Sequence, residues 1–108
     1  MANTNYVSCI VQILEEPRRM TSEQNTTVLK ARAQLAEVRT NNLPTLVTLT
    51  FWGKLSQAVL NYYQPTDYIV IEGYLSVKDK QDLEQKFSSL KYIEITVLKI
   101  YPFLLGLS

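Results

Sequence analysis

Helical spacing of apolar residues is confined to one short stretch of this chain, residues 54–63. There, Leu55, Val59 and Tyr62 fall on one face of a helix. Pro65 ends the helix, because proline has no backbone N–H to donate and clashes with the preceding turn. In most of the remaining chain apolar and polar side chains alternate, which is typical of β-strands with one buried face. The pattern therefore predicts an all-β domain with one short helix.

Five runs are predicted to be strands, at residues 6–14, 28–38, 46–52, 68–78 and 91–101. In the four later runs the side chains predicted to face the core are Leu29, Ala31, Ala33, Leu35, Val47, Leu49, Phe51, Ile69, Ile71, Leu75, Val77, Ile93, Ile95 and Val97. Turns and loops are predicted for the polar segments at 21–26, 39–44 and 79–89. Five strands with one helix between the third and the fourth is the element order of a Greek-key OB-fold barrel. Other small five-stranded barrels and α+β domains are the alternatives that this order leaves open.

The first run differs from the others because it is apolar on both faces. One face carries Val7, Cys9, Val11 and Ile13, and the other carries Ile10 and Leu14. A strand with this composition is buried on both sides, and a second copy of the chain can supply the second cover. We therefore expect a homodimer or homotetramer that forms through residues 6–14, which would also hide the edge of the strand.

The composition argues against several kinds of chemistry. The 11 basic residues nearly balance the 10 acidic ones, which argues against a protein that coats duplex DNA through bulk charge. The chain has no histidine and a single cysteine, Cys9, so it lacks the commonest general base and cannot form an internal disulfide. The sequence contains no nucleophile–base pair, no glycine-rich phosphate loop and no metal-ligand cluster. We expect no enzymatic activity, no cofactor and no metal.

The sequence also carries no sign of export. Its first residues have neither the basic nor the apolar region of a signal peptide, and no stretch is long and apolar enough to span a bilayer. Together with the single cysteine, this predicts a protein that is not secreted and works in a reducing compartment. We expect one domain over residues 1–108, with a barrel at about 6–101 and an apolar C-terminal extension at 102–108.

The most specific pattern lies between the third and fourth predicted strands. An aromatic-Gly-Lys segment, Phe51-Trp52-Gly53-Lys54, leads into the helix, and the strand after the helix contains Ile71-Glu72-Gly73-Tyr74-Leu75. This arrangement resembles the bacterial-type single-stranded-DNA-binding protein family, and the similarity extends over about residues 6–101. The Cys-Ile pair of the first strand, the Trp-Gly pair and the missing tail resemble a short subgroup from cyanobacteria and algal plastids.

The resemblance implies a non-catalytic protein that binds single-stranded DNA, or RNA, without sequence preference and takes part in DNA replication. It also implies a homo-oligomer associated with the nucleoid, in the cytoplasm of a cyanobacterium or the stroma of an algal plastid. Three features depart from the family pattern. Leu46 and Lys80 stand where longer members have stacking aromatics, and the flexible tail with an acidic tip is missing. These departures predict micromolar or weaker affinity, which corresponds to a binding free energy no more favourable than about −8 kcal/mol.

The outward side chains of neighbouring predicted strands form the candidate binding site, in which rings stack on bases and cations track phosphates. We predict contacts with nucleic acid at Trp52, Tyr74, Lys30, Arg32, Lys54, Lys78, Lys80, Thr48 and Thr50. The alternative for Trp52 is packing over the start of the helix, and the alternative for Lys30 and Arg32 is a solvated strand face. The alternative for the whole protein is an OB-fold interaction or structural module that has lost most of its nucleic-acid affinity.

Overall fold

The structure, a computed structural model, describes residues 5–21, 23–36, 45–80 and 90–103. Its elements are β1 (Tyr6–Ile13), β2 (Arg18–Thr21), β3 (Thr27–Leu35), β4 (Leu46–Trp52), α1 (Lys54–Tyr62), β5 (Tyr68–Lys80) and β6 (Leu90–Pro102). The strands form one sheet in the order β1-β5-β6-β4-β3-β2, and an additional pairing of β1 with β3 closes it. β4 and β6 run parallel, and the other pairs run antiparallel. The predicted OB-fold barrel, with a helix between its third and fourth long strands, is confirmed.

The alternation of apolar and polar residues determines which side of each strand faces the core. In β3 and β4, Leu29, Leu49 and Phe51 are fully buried, and the residues between them point to the other side of the sheet. Fully burying one such side chain contributes about 1.5–3 kcal/mol. The barrel interior is filled by Val11, Ile13, Leu29, Ala33, Val47, Leu49, Phe51, Val59, Ile69, Ile71, Ile95 and Val97.

The strand β2 is absent from the sequence prediction. All residues of Arg18–Thr21 are exposed, so no alternation of buried and exposed side chains marks them in the sequence. They form a strand because they pair antiparallel with β3, with Arg18 opposite Lys30. Asn25, at φ 63°, lies in the turn between the two strands, and asparagine tolerates this left-handed conformation better than most residues. The turn predicted at 21–26 is therefore shorter, since its first residue belongs to β2.

Gly73 is the point at which β5 and β6 approach most closely. A Cβ atom at this position would lie 2.0 Å from the backbone oxygen of Thr96 and 2.9 Å from its carbonyl carbon. The pairing register also shifts here, because Glu72 faces Lys99 while Gly73 faces Val97. A β-bulge of this kind bends the sheet, and only a residue without a side chain fits at its centre.

Two side chains predicted to be buried are exposed. Val77 is 59% exposed, because β5 and β6 continue past the end of β1 and no other described strand covers this part of the hairpin. Tyr62 is 75% exposed, because α1 buries Ser56 and Val59 and its last turn leaves the Tyr62 ring outside. The next residue, Tyr63, packs against the core instead. Both residues lie near the ends of their elements. There, the periodicity of the sequence does not show whether another element covers the side chain.

β1 is paired along nearly all of one edge but only along part of the other. It pairs with β5 from Tyr6 to Gln12, and with β3 only over its last residues, from Val11. In the single chain its outer face is not fully covered, since Ile10 is half-buried and Leu14, just beyond the strand, is 41% exposed. Within the described residues, the first half of β1 therefore keeps one edge without a strand partner.

The strand predicted at 28–38 is described as a strand to Leu35. Predictions for the loop at 39–44, for residues 81–89 of the hairpin and for residues 104–108 of the apolar extension lie outside the described residues. In the described part of the chain, no helix is both long and apolar enough to cross a membrane.

Candidate nucleic-acid interface

The outward side chains of β3, β4, β6 and β5 form one continuous surface, because these strands are neighbours in the sheet. Lys30 lies opposite Thr50, and Arg32 lies opposite Thr48. Glu94 of β6 in turn lies opposite Thr48. We call this surface the strand face, and its members are Lys30, Arg32, Thr48, Thr50, Trp52, Tyr92, Glu94, Thr96, Tyr74, Ser76 and Lys78. It brings together all of the predicted site residues except Lys54 and Lys80.

The two predicted stacking residues both reach solvent on the strand face. Trp52, the last residue of β4, lies opposite Val28 and is 45% exposed. Tyr74 is 38% exposed, and its ring packs edge-on against Tyr6, with the centroids 5.5 Å apart and the planes at 73°. Tyr6 Oη donates to Glu72 Oε1 over 2.7 Å, and this bond to the carboxylate raises the pKa of Tyr6 to about 12. Trp52 and Tyr74 therefore each leave ring surface on which a base can stack.

Glu94 is a buried carboxylate in the middle of the strand face, only 7% exposed. Thr50 Oγ1 donates to its Oε2 over 2.5 Å. Lys30 Nζ lies 3.5 Å from Oε2, and Lys78 Nζ lies 3.8 Å from Oε1. Burying an ionised carboxylate is costly unless it is paired and hydrogen-bonded, and these groups meet that requirement.

This arrangement argues against the role predicted for Thr50. The sequence predicts its hydroxyl to contact nucleic acid, but the residue is 3% exposed and its hydroxyl is bonded to Glu94. Thr48, the other predicted threonine, is half-buried on the strand face. The outward direction of both side chains is as predicted, but only Thr48 remains open to a ligand.

Arg32 is held by a carboxylate at the margin of the strand face. Its Nε and Nη2 donate to Glu15 Oε1 over 3.2 and 3.1 Å, and its backbone N–H donates to Glu15 Oε2 over 3.1 Å. These hydrogen bonds hold the pKa of Glu15 below its usual range. The Arg32 side chain is nevertheless 64% exposed, so its charge stays at the surface.

The two remaining predicted lysines lie beside the strand face rather than on it. Lys54 is the first residue of α1 and follows Gly53, whose φ of 59° and ψ of −129° separate the helix from β4; glycine adopts this conformation without the penalty of a Cβ atom. Lys54 is exposed, and among the described residues it has no acidic partner. Lys80 ends β5 opposite Leu90, and its side chain lies outside the described part of the structure.

A groove of about 560 Å³ lies at one end of the strand face, and it is lined by Arg18, Met20, Lys30, Arg32, Leu46, Val47, Thr48, Tyr92 and Ile93. Met20 and Leu46 are 47% and 52% exposed. Arg18 and Met20 escape sequence analysis because β2 has no periodic signal. Tyr92 could have been found, since it alternates with the inward Ile93. In such a groove the apolar side chains can contact a base, while the neighbouring cations bind the phosphate attached to it.

Away from the strand face, Cys9 is half-buried, and burial raises the pKa of its thiol. The described residues include no group of three or more Cys, Asp or Glu placed to hold a metal ion. The arrangement that the structure does present is a surface of rings, cations and hydroxyls.

Comparison with known proteins first defines the class. No family model matches the sequence. Similar solved structures include the single-stranded-DNA-binding domain of a Synechococcus protein, with a TM-score of 0.72 and 20% identity over 94% of this chain and 98% of that one. A small single-stranded DNA-binding protein from Streptomyces coelicolor has a TM-score of 0.77 and 14% identity, over 92% and 94%. The second such protein of Mycobacterium smegmatis has a TM-score of 0.67 and 19% identity, over 96% and 97%. At these identities the likeness defines the fold, an OB-fold domain of the kind found in single-stranded-DNA-binding proteins.

A sequence relative then defines the family. The chain is 33% identical over 102 residues to ycf41 of Trieres chinensis, which is named a candidate single-stranded DNA-binding protein. The alignment covers 94% of this chain and 90% of the relative. The chain belongs to the bacterial-type single-stranded-DNA-binding protein family, and the prediction from the resemblance is confirmed.

Proposed function

We propose that this protein is a non-catalytic, sequence-tolerant binder of single-stranded DNA, which it holds on the strand face by base stacking and phosphate contacts. The names of its relatives support the ligand. The observation that carries the proposal is the Trp52 ring, 45% exposed on the same face as Lys30 and Arg32 of the neighbouring strand. Stacking on such a ring needs no sequence reading, because every base has a π-face.

The bases stack on Trp52 and Tyr74, and the groove beside Tyr92 receives a further base. Each stacked base contributes about 1–3 kcal/mol. Leu46 lies in the groove at a position where a larger ring would add another platform, so fewer bases are held by stacking. The expected affinity is therefore micromolar or weaker, about −8 kcal/mol.

The phosphates are held by the cations around the rings. Arg32 is exposed at one margin of the strand face. Lys54, two residues after Trp52 in the chain, is exposed beside that face. The Thr48 hydroxyl, half-buried opposite Arg32, is a further hydrogen-bond donor. Lys80, at the end of β5, completes the proposed set of phosphate contacts. Lys30 and Lys78 also contribute charge, although each is paired with Glu94.

Alanine substitution of the rings tests the proposal. Trp52→Ala is expected to weaken binding to a fluorescein-labelled oligo-dT by about 10-fold, because one stacked base is lost. Tyr74→Ala is expected to weaken binding less, because part of the Tyr74 ring already packs against the ring of Tyr6. Fluorescence anisotropy at low salt measures both.

The matched control is Tyr62→Ala, which removes an aromatic ring that is 75% exposed on α1 and is not part of the strand face. Its affinity for the oligonucleotide should match that of the unaltered protein. Equal losses for Trp52→Ala and Tyr62→Ala, or no loss for Trp52→Ala in a folded protein, would contradict the proposed interface. Parallel titrations with oligo-rU establish whether RNA is also a ligand.

A second candidate function is an OB-fold interaction or structural module with little nucleic-acid affinity. It is favoured by the pairing of Lys30, Arg32 and Lys78 with carboxylates, which lowers the attraction of the strand face for phosphate. A folded protein that fails to bind both oligo-dT and oligo-rU at low salt would support this function over the first.

We further propose a homodimer or homotetramer that forms through β1 and Leu14, and a single domain over residues 1–108. The partly unpaired edge of β1 and its incompletely covered outer face support the assembly. We also propose a nucleoid-associated role in replication, in an algal plastid or a cyanobacterium. The relative from Trieres chinensis supports the plastid or cyanobacterial setting.

A further inference from the structure

The strand face has a negative charge at its centre, which is unexpected on a surface proposed to bind a polyanion. Glu94 lies opposite Thr48 on one side and Ser76 on the other. Its side chain is 10% exposed. The Lys78 ammonium approaches one of its oxygens from β5, which adjoins β6, and the Lys30 ammonium approaches the other from β3, across the intervening β4. Three strands that are distant in sequence therefore converge on this carboxylate.

We infer that Glu94 is an internal counter-ion that competes with phosphate for Lys30 and Lys78 and thereby limits the affinity of the strand face for single strands. The inference rests on the proposed function, since it concerns the strength and the salt dependence of that binding. The ligand chemistry is the phosphate backbone of a single-stranded nucleic acid.

The distances and exposures explain the competition. Lys30 and Lys78 are 37% and 49% exposed in their side chains, so both ammonium groups can be reached from solvent, but each already lies within 4.0 Å of a carboxylate oxygen. A phosphate that pairs with either lysine must approach the Glu94 charge or displace it. The carboxylate cannot swing away, because it is buried and hydrogen-bonded to Thr50. Bases rather than phosphates therefore pass over the centre of the strand face, and the phosphates follow its margins.

Glu94→Gln separates this role from a purely structural one. Glutamine keeps the length of the side chain and an oxygen that can accept the Thr50 hydrogen bond, but it removes the charge. We expect the variant to bind oligo-dT about 5-fold more tightly at low salt, because the lysines no longer have a competing partner. The plot of log Kobs against log salt should steepen by about 0.7 for each lysine that becomes free to release a counter-ion.

The matched control is Glu23→Gln, which removes one negative charge at the exposed turn between β2 and β3. It should change the affinity less than 2-fold and leave the salt slope unaltered. If Glu94→Gln binds with the affinity and slope of the unaltered protein, or binds more weakly, the inference is overturned. If neither the unaltered protein nor the variant binds oligo-dT or oligo-rU, the proposed function fails together with it.

A lysine substitution tests the same inference without changing the buried carboxylate. Because Lys78 is already paired with Glu94, Lys78→Gln in the otherwise unaltered protein should reduce the salt slope by less than half as much as the loss of a lysine that has no acidic partner. The comparison is Lys54→Gln, which removes a lysine that has no acidic partner in the described part of the chain and should reduce the slope by about 0.7. A slope reduced as much by Lys78→Gln as by Lys54→Gln would show that Lys78 pairs freely with phosphate, and would overturn the inference.

Discussion

At the scale of the residue, the absence of one side chain allows β5 and β6 to meet. We predict that Gly73→Ala lowers the free energy of unfolding by about 1–3 kcal/mol, which is the usual range for overpacking in a closely fitted site. The reason is that the new Cβ atom would lie 2.0 Å from the backbone oxygen of Thr96, and backbone moves less readily than a side chain. Urea denaturation followed by circular dichroism measures the change.

The control for Gly73→Ala is Ser76→Ala on the same strand, where a Cβ atom is already present and the side chain is half-buried. Its unfolding free energy should change by less than about 1 kcal/mol. Equal stability of Gly73→Ala and the unaltered protein would mean that β5 and β6 lie further apart than described.

Single residues also show where sequence analysis stops. Alternation predicted that Lys30, Thr50 and Trp52 point to the outside of the barrel, and the structure agrees. It could not predict that Thr50 and Lys30 meet Glu94, because that meeting depends on the register between strands 44 and 64 residues apart. A shift of register by one residue would turn these side chains to the other side.

At the scale of the element, Glu15, just after the end of β1, accepts three hydrogen bonds from Arg32 in the middle of β3 and so links the two strands. Because the folded state lowers the pKa of Glu15, the stabilisation is complete above the unfolded pKa of about 4.3. It is lost as pH falls through the lower folded value. We predict that Glu15→Gln reduces stability at pH 7 by about 0.5–1 kcal/mol, the usual size of a solvent-screened ion pair.

The measurement is the difference in unfolding free energy between Glu15→Gln and the unaltered protein between pH 7 and pH 3. The difference should be constant down to about pH 5 and should shrink at lower pH. Glu16→Gln is the control, because the adjacent Glu16 is exposed and forms no ion pair with the described residues. A difference that stays constant to pH 3 would show that the Glu15 charge does not contribute.

The predicted elements agree with the structure where a periodic pattern is long. Leu46–Trp52 is a strand with the predicted bounds, and the helix begins at Lys54 as predicted. β2 was missed because all its side chains are exposed and only backbone pairing with β3 makes it a strand. The exposure of Val77 likewise depends on where β1 ends, which a local pattern in β5 does not contain.

At the scale of the whole molecule, the partly unpaired edge of β1 leads us to predict self-association. Sedimentation velocity at micromolar concentration should give a mass of two or four chains, each of 12.4 kDa. Pairing of β1 between copies would satisfy the backbone groups that have no strand partner among the described residues, and it would cover Ile10 and Leu14. A mass of one chain over the whole concentration range would contradict the assembly.

The central claim is that single-stranded DNA binds on the strand face, and Trp52, the only tryptophan in the chain, reports on it directly. The most direct measurement is a titration of the unaltered protein with oligo-dT, followed by tryptophan fluorescence at low and at physiological salt. We predict quenching that saturates at low salt and weakens as salt rises, because a base stacks on the ring and cations hold the phosphates. Unchanged fluorescence, together with unchanged mobility of labelled oligo-dT in a gel, would contradict single-strand binding by this protein.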